Sequence, residues 1–213
     1  MEKKKSLFFD LDGTLWDALD PLTESWNQAM KDAKKPFSFS KAKMQTFMGL
    51  TPEETCPLAF PGTSLKEGLE LFHLELVAEI KYLALHPGIL YPEEEKIIAG
   101  LAKKYPLYII SNSDKGYVEN YLQACHMGKY FKDHVCVGDT GLVKWQNILY
   151  MKNKEHVSDV IYIGDTLKDK TEAEKAGVKF IHAAYGFGKI ADDPYKINSL
   201  TELPPLVEIL FKN

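Results

Sequence analysis

Leu7-Phe8-Phe9-Asp10-Leu11-Asp12-Gly13-Thr14 is the stretch that decides the fold. Three apolar residues run directly into acids, which reads as a buried strand with a polar carboxyl end. A continuous apolar run, rather than an alternating one, suits a strand covered on both faces, as in a parallel sheet. Gly13 marks a point where the backbone turns or comes close to another group.

Downstream of Gly88 the same pattern repeats. Helical stretches at Pro92–Lys104, Lys115–Met127, Lys144–Glu155 and Asp169–Ala176 are followed by apolar runs at Leu107–Ile110, Val135–Val137, Val160–Ile163 and Val178–Ile181. Strands that alternate with helices predict an α/β fold, a doubly wound parallel-sheet, Rossmann-like core. Ser199–Phe211 predicts one last helix. Between the first strand and Gly88 the pattern is helical. Leu22, Trp26, Ala29 and Met30 recur at helical spacing, Thr51-Pro52-Glu53-Glu54 is a helix start, and Ser64–Leu85 is a long amphipathic segment. The sequence therefore predicts a core of residues 1–16 and 87–213, with residues 17–86 inserted as an α-helical unit.

With 213 residues, the chain suffices for one domain carrying such an insertion. Its formal charge of −4 gives no basic footprint, so a nucleic-acid partner is not expected. No apolar run is long enough to span a bilayer, and a membrane partner is not expected either. Cys56, Cys125 and Cys136 are odd in number and widely spaced, so buried reduced thiols in a cytoplasmic protein are the expectation. Oligomeric state is not legible.

In open parallel sheets, ligands bind beyond the carboxyl ends of the strands. Asp10, Asp12, Gly13 and Thr14 follow the first run, Ser111 and Asn112 the second, and Asp165 and Asp169 the Val160–Ile163 run; Lys144 opens a helix. Asp10, Asp12 and Asp165 together repel one another unless a cation binds or protons are taken up. Magnesium, a hard cation, accepts one or two carboxylates together with a substrate phosphate. Lys144 adds a positive charge, Ser111 and Asn112 add neutral donors, and the Gly13 N–H is a further candidate donor. Asp10 as nucleophile on phosphorus, with Asp12 as general acid and then base, divides the hydrolysis into two steps.

The run Asp10–Thr14, Ser111-Asn112, Lys144 and Gly164–Asp169 resembles the four signatures of the haloacid dehalogenase-like hydrolase superfamily. Ala184-Tyr185-Gly186-Phe187-Gly188 resembles its glycine-aromatic-glycine loop. The similarity is nearest to the phosphoglycolate-phosphatase-like branch, which implies a helical cap where the insertion falls. It implies Asp10 as nucleophile and metal ligand, Asp12 as acid/base and, through its carbonyl, metal ligand, and Asp165 as third ligand of Mg2+. It implies that Asp169 orients Lys144 or a nearby water. Trp145 stands where the family often has proline, and Asp17-Ala18 where its phosphatases often have Asp-Ser. The expected activity is phosphatase action on a small phosphorylated metabolite. A phosphomutase and a phosphoreceiver-type signalling module are the alternatives.

Overall fold

The computed structural model describes residues 4–212. Six strands form one parallel sheet in the order β5-β4-β1-β6-β7-β8. They are β1 (Lys5–Phe9), β4 (Leu107–Ser111), β5 (Asp133–Cys136), β6 (Asp159–Gly164), β7 (Lys179–Ala183) and β8 (Lys196–Ile197). Helices α5 (Glu94–Ala102), α6 (Tyr117–Ala124), α7 (Val137–Thr140), α8 (Lys144–Lys154), α9 (Leu167–Lys175) and α10 (Leu203–Leu210) lie between and after them.

β1 sits at the centre because it can be buried on both sides. Leu7 and Phe9 enter one apolar cluster and Phe8 the other, and all three are fully buried. Truncating Phe9 to alanine would remove about 3–5 kcal/mol. The chain leaves β1 toward β4 on one side and later returns to β6 on the other. The sheet thus has its switch point at the carboxyl end of β1, where Asp10 begins.

A two-stranded ribbon, β2 (Trp16–Asp17) with β3 (Ile89–Leu90), closes the base of the insertion. The sequence did not announce it, because two-residue strands carry no periodicity. Within the insertion lie α1 (Leu19–Asp32), α2 (Lys41–Gln45), α3 (Pro52–Ala59) and α4 (Leu65–Leu83). Thr51 and Ser64 start α3 and α4 with reciprocal caps to Glu54 and Glu67. The interior of this unit is aromatic: Trp26 packs on Phe39, Phe47, Phe60 and Phe72 at ring separations of 5.3, 5.9, 6.4 and 5.6 Å.

Some boundaries differ from the sequence expectation for local reasons. α9 begins at Leu167 rather than Asp169, because Thr166 accepts from the Asp169 N–H at 3.1 Å while Asp169 accepts from the Thr166 N–H at 3.0 Å. Val137 belongs to a helical turn rather than to β5, with Asp139 accepting from the Cys136 N–H at 3.1 Å. α5 starts at Glu94, because Glu93 takes a left-handed conformation at φ 62°.

Candidate active site

Asp10 leaves β1 with its N–H donating to the Ile163 carbonyl at 2.8 Å, which fixes it against β6. Its Oδ1 accepts from Lys144 Nζ at 2.8 Å. The same ammonium donates to Asp169 Oδ1 at 2.6 Å. Lys144, Asp10 and Asp169 are all buried. Burial works against the Lys144 ammonium, but the charges of Asp10 and Asp169 outweigh it and hold its pKa well above the ordinary lysine value. Asp169 Oδ2 is taken by the Thr166 hydroxyl at 2.6 Å and the Thr166 N–H at 3.0 Å. Both Asp169 oxygens are therefore engaged, one of them in orienting Lys144.

Asp165 is buried under the loop after β7. Its Oδ2 accepts from the Phe187 and Gly188 amides at 2.7 and 3.2 Å. Its Oδ1 is shielded from solvent and has no hydrogen-bond partner. Gly186 and Gly13 permit this packing. A Cβ on Gly186 would lie 2.2 Å from the Gly13 carbonyl oxygen and 2.4 Å from Asp165 Cβ. A Cβ on Gly13, whose φ is +77°, would lie 2.3 Å from Asp165 Oδ2. Oxygens of Asp10, Asp165 and Asp169 all fall within 4.8 Å of one another.

A cation fits between these residues. An orphaned buried carboxylate oxygen is costly unless something positive meets it. Asp10 is held well above the ordinary carboxylate range by burial, with Asp169 adding to it and Lys144 opposing. Asp165 is pushed up to about 7 by burial and then by Asp169. Four carboxylates (Asp10, Asp12, Asp165 and Asp169) face a single ammonium. Oxygen ligands of this kind suit magnesium. With the Asp169 oxygens engaged, Asp10 and Asp165 are the clustered carboxylates left to meet it.

Asp12 is held by two residues the sequence reading did not assign to the site. Tyr117 Oη donates to Asp12 Oδ1 at 2.7 Å, and Trp16 Nε1 donates to the same oxygen at 3.0 Å. Neither contact touches Oδ2. Burial raises the Asp12 pKa to about 6, with the Tyr117 and Trp16 hydrogen bonds opposing the rise. No sequence signal marks Tyr117, which lies 105 positions from Asp12. Trp16 is fully buried and also supplies this hydrogen bond.

Asp10, Asp12, Ser111, Asn112 and Lys144 line one cavity of about 130 Å3 between the sheet edge and the helical insertion. Ser111 Oγ accepts from the Ser113 N–H at 3.1 Å, which leaves its hydroxyl proton free to donate. Asn112 Nδ2 donates to the Gly49 carbonyl at 2.9 Å and so ties the insertion to the core. The Gly13 N–H is engaged by the Trp16 carbonyl at 3.0 Å, so the contribution of Gly13 in this arrangement is conformational. Thr14 is fully buried outside this lining, and its carbonyl accepts from Tyr185 Oη at 2.7 Å. His73 and His86 are exposed.

A buried cluster of carboxylates at the switch point of a parallel α/β sheet, with a helical insertion above it, points to a class of hydrolase. The model of the haloacid dehalogenase-like hydrolase family matches residues 7–183, and the chain belongs to this family. A phosphoglycolate phosphatase of Vibrio parahaemolyticus is 24% identical over 226 residues, covering 96% of both chains. A haloacid dehalogenase-like hydrolase from Bacteroides fragilis superposes with a TM-score of 0.81 at 20% identity, over 95% of this chain and all of the other. A haloacid dehalogenase-like family hydrolase from Streptococcus pneumoniae gives 0.80 at 21% identity, over 95% and 98%. No helix among the described residues is long and apolar enough to cross a membrane.

Proposed function

We propose that the chain is a magnesium-dependent phosphatase that hydrolyses a small phosphomonoester through an aspartyl-phosphate on Asp10. The observation that carries this reading is the convergence of Asp10, Asp165 and the Lys144–Asp169 pair at the switch point of the sheet. The names of the curated relatives support the phosphatase reading. Mg2+, held by Asp10, Asp165 and the Asp12 carbonyl, would neutralise phosphate charge and allow an anionic nucleophile to approach an anionic ester.

The chain's own residues divide the rest of the work. Lys144 and the Ser111 hydroxyl draw the phosphoryl oxygens toward Asp10, and the Asn112 side chain borders the same space. An Asp10 carboxylate oxygen attacks phosphorus, and the bond from phosphorus to the leaving oxygen breaks. Asp12 Oδ2, not engaged by Trp16 or Tyr117, gives its proton to that oxygen. A pKa near neutrality suits a group that must both give and take a proton. In the second step Asp12 takes a proton from water, the water oxygen bonds to phosphorus, and Asp10 leaves as carboxylate with inorganic phosphate.

Residues 17–86 act in this reading as a cap over a core of residues 1–16 and 87–213. Three contacts support a closed position. Asn112 meets the Gly49 carbonyl at 2.9 Å, Asn120 the Ile80 carbonyl at 2.8 Å, and Lys168 pairs with Glu54 at 2.6 Å. They are few, as expected of an element that opens for substrate and closes against water.

The test is phosphate release from an aryl phosphate with magnesium, with chelator, and with Asp10→Asn. Magnesium-dependent release that is lost in the variant is the expected result. Acid-quenched protein should carry a base-labile phosphoryl group in the wild type alone. Metal-independent release, or normal turnover in Asp10→Asn, would overturn the mechanism. Stoichiometric labelling without turnover would favour a signalling module instead.

A further inference from the structure

The reacting end of the cavity is highly polar, and the end formed by the insertion is almost wholly apolar. Leu22, Met44, Phe47, Phe72 and Leu76 line it together with Trp26. Glu79 of α4 is the one ionisable residue that the insertion contributes to the lining. Its Oε2 accepts from Trp26 Nε1 at 2.8 Å, which fixes the carboxyl, and no protein donor engages Oε1 among the described residues. Among the described residues Lys144 is the only cationic one lining the cavity, and it is committed to Asp10 and Asp169.

These facts select a leaving group. A carboxylate or second phosphate on the substrate would have to lie among apolar side chains, with no cationic side chain of the insertion to meet it. Burying an unpaired charge in this way is strongly unfavourable. A volume of about 130 Å3 favours a compact leaving group. Glu79 offers a fixed oxygen that an incoming N–H or O–H can reach. Burial raises the Glu79 pKa to about 8, with the Trp26 hydrogen bond opposing and Asp12 and Asp114 adding to the rise, so the group tolerates a neutral hydroxyl and is charged readily by an ammonium.

We infer that the substrate is a phosphomonoester with a compact, non-anionic leaving group: an apolar body ending in a hydroxyl or ammonium donor received by Glu79. This rests on the phosphatase reading above and deepens it. It also separates this chain from the phosphoglycolate phosphatases among its curated relatives, whose named substrate is a phosphorylated acid. Glu79 is a specificity-determining residue in this account, acting on the leaving group and not on phosphorus.

The experiment is a comparison of kcat/KM, with magnesium, for 3-hydroxypropyl phosphate, 3-aminopropyl phosphate, n-propyl phosphate and 2-phosphoglycolate, with an aryl phosphate as control. At least one of the two donor-bearing esters should exceed n-propyl phosphate, and 2-phosphoglycolate should fall more than about tenfold below it. Glu79→Leu should bring the donor-to-propyl ratio toward one; the ratio is internal, so a general loss of fold or activity does not imitate it. Leu76→Lys, which puts an ammonium into the same apolar end, should raise the relative rate on 2-phosphoglycolate. If 2-phosphoglycolate is hydrolysed as well as the neutral esters, the inference fails while the phosphatase reading stands. An unchanged donor-to-propyl ratio in Glu79→Leu also overturns it. If neither the control nor any ester is hydrolysed, the phosphatase reading itself fails, and the inference with it.

Discussion

Glu75 is the most exposed to test of the features outside the reacting centre. It lies on the buried stripe of α4 with Gly68, Leu71, Glu79 and Leu83. Its side chain is fully buried, and neither carboxyl oxygen has a hydrogen-bond partner. Burial, then the charge of Glu79, pushes its pKa to about 9, against about 4.5 for an exposed glutamate. The folded chain therefore keeps a proton there that the unfolded chain releases. The sign follows directly. Stability is greatest below the unfolded pKa and is lost progressively as pH rises from about 4.5 toward 9. At pH 7 the loss spans about 2.5 pH units, which at 1.36 kcal/mol per unit gives at most roughly 3 kcal/mol. Glu75→Gln keeps the shape and does not titrate. It should match the wild type in thermal stability near pH 5 and exceed it increasingly as pH rises, by up to roughly 6–12 °C at pH 7. The assay is thermal unfolding of both proteins from pH 5 to 8.5, read as the difference in Tm. Asp10, Asp12 and Asp165 titrate in both chains, so the difference reports position 75 together with its coupling to Glu79. A flat difference across that range would refute the argument.

Removing the hydroxyl in Tyr117→Phe takes away one of two donors to Asp12 Oδ1, and because that bond lowers the Asp12 pKa, the pH–rate limb set by this residue should move to higher pH. Turnover should fall roughly tenfold with little change in Tm, the scale of one hydrogen bond to a charged group; an unmoved limb would count against Asp12 as the acid. Asp169→Asn removes the second carboxylate on Lys144 and should weaken inhibition by inorganic phosphate along with turnover, as competition assays would show. Gly186→Ala would force a Cβ to within 2.2 Å of the Gly13 carbonyl oxygen and should raise the magnesium concentration needed for half-maximal activity; unchanged metal affinity by titration would mean that this loop does not position Asp165.

Much of this architecture could be read from residue patterns, because the patterns were long. The apolar runs before Asp10, Ser111 and Asp165 became β1, β4 and β6, and the helical spacing between residues 17 and 86 became α1 to α4. The acids, Ser111 and Lys144 could be grouped because parallel strands bring their carboxyl ends to one edge. What stayed hidden depends on tertiary approach alone. Tyr117 and Trp16 converge on one oxygen of Asp12 from opposite sides of the insertion, and nothing in the local sequence of either predicts that. Glu75 and Glu79 occupy an α4 face that periodicity would assign to apolar side chains, so a reading based on hydrophobic spacing passes over both. The Gly13 N–H looked available in sequence, yet the tight turn at φ +77° hands it to the Trp16 carbonyl.

The arrangement around Lys144 explains how one ammonium can serve a site so rich in acid. Had it faced Asp10 alone, an arriving phosphate would have competed with Asp10 for the cationic side chain of the cavity. Asp169 supplies a second carboxylate whose other oxygen is held by Thr166, so in the proposed mechanism Lys144 would keep its place and its proton while Asp10 carries the phosphoryl group. In the proposed mechanism, phosphorylation would convert Asp10 from a carboxylate into an acyl phosphate that carries the transferred phosphoryl charge, with the ammonium still beside it. The Lys144–Asp169 pair would thus be a fixed electrostatic reference for both proposed steps, of the kind that stabilises transferring charge without reorganisation. This also gives a physical reason for a capping residue to lie so near the chemistry: the helix start at Thr166 and the orientation of Lys144 depend on the same carboxylate.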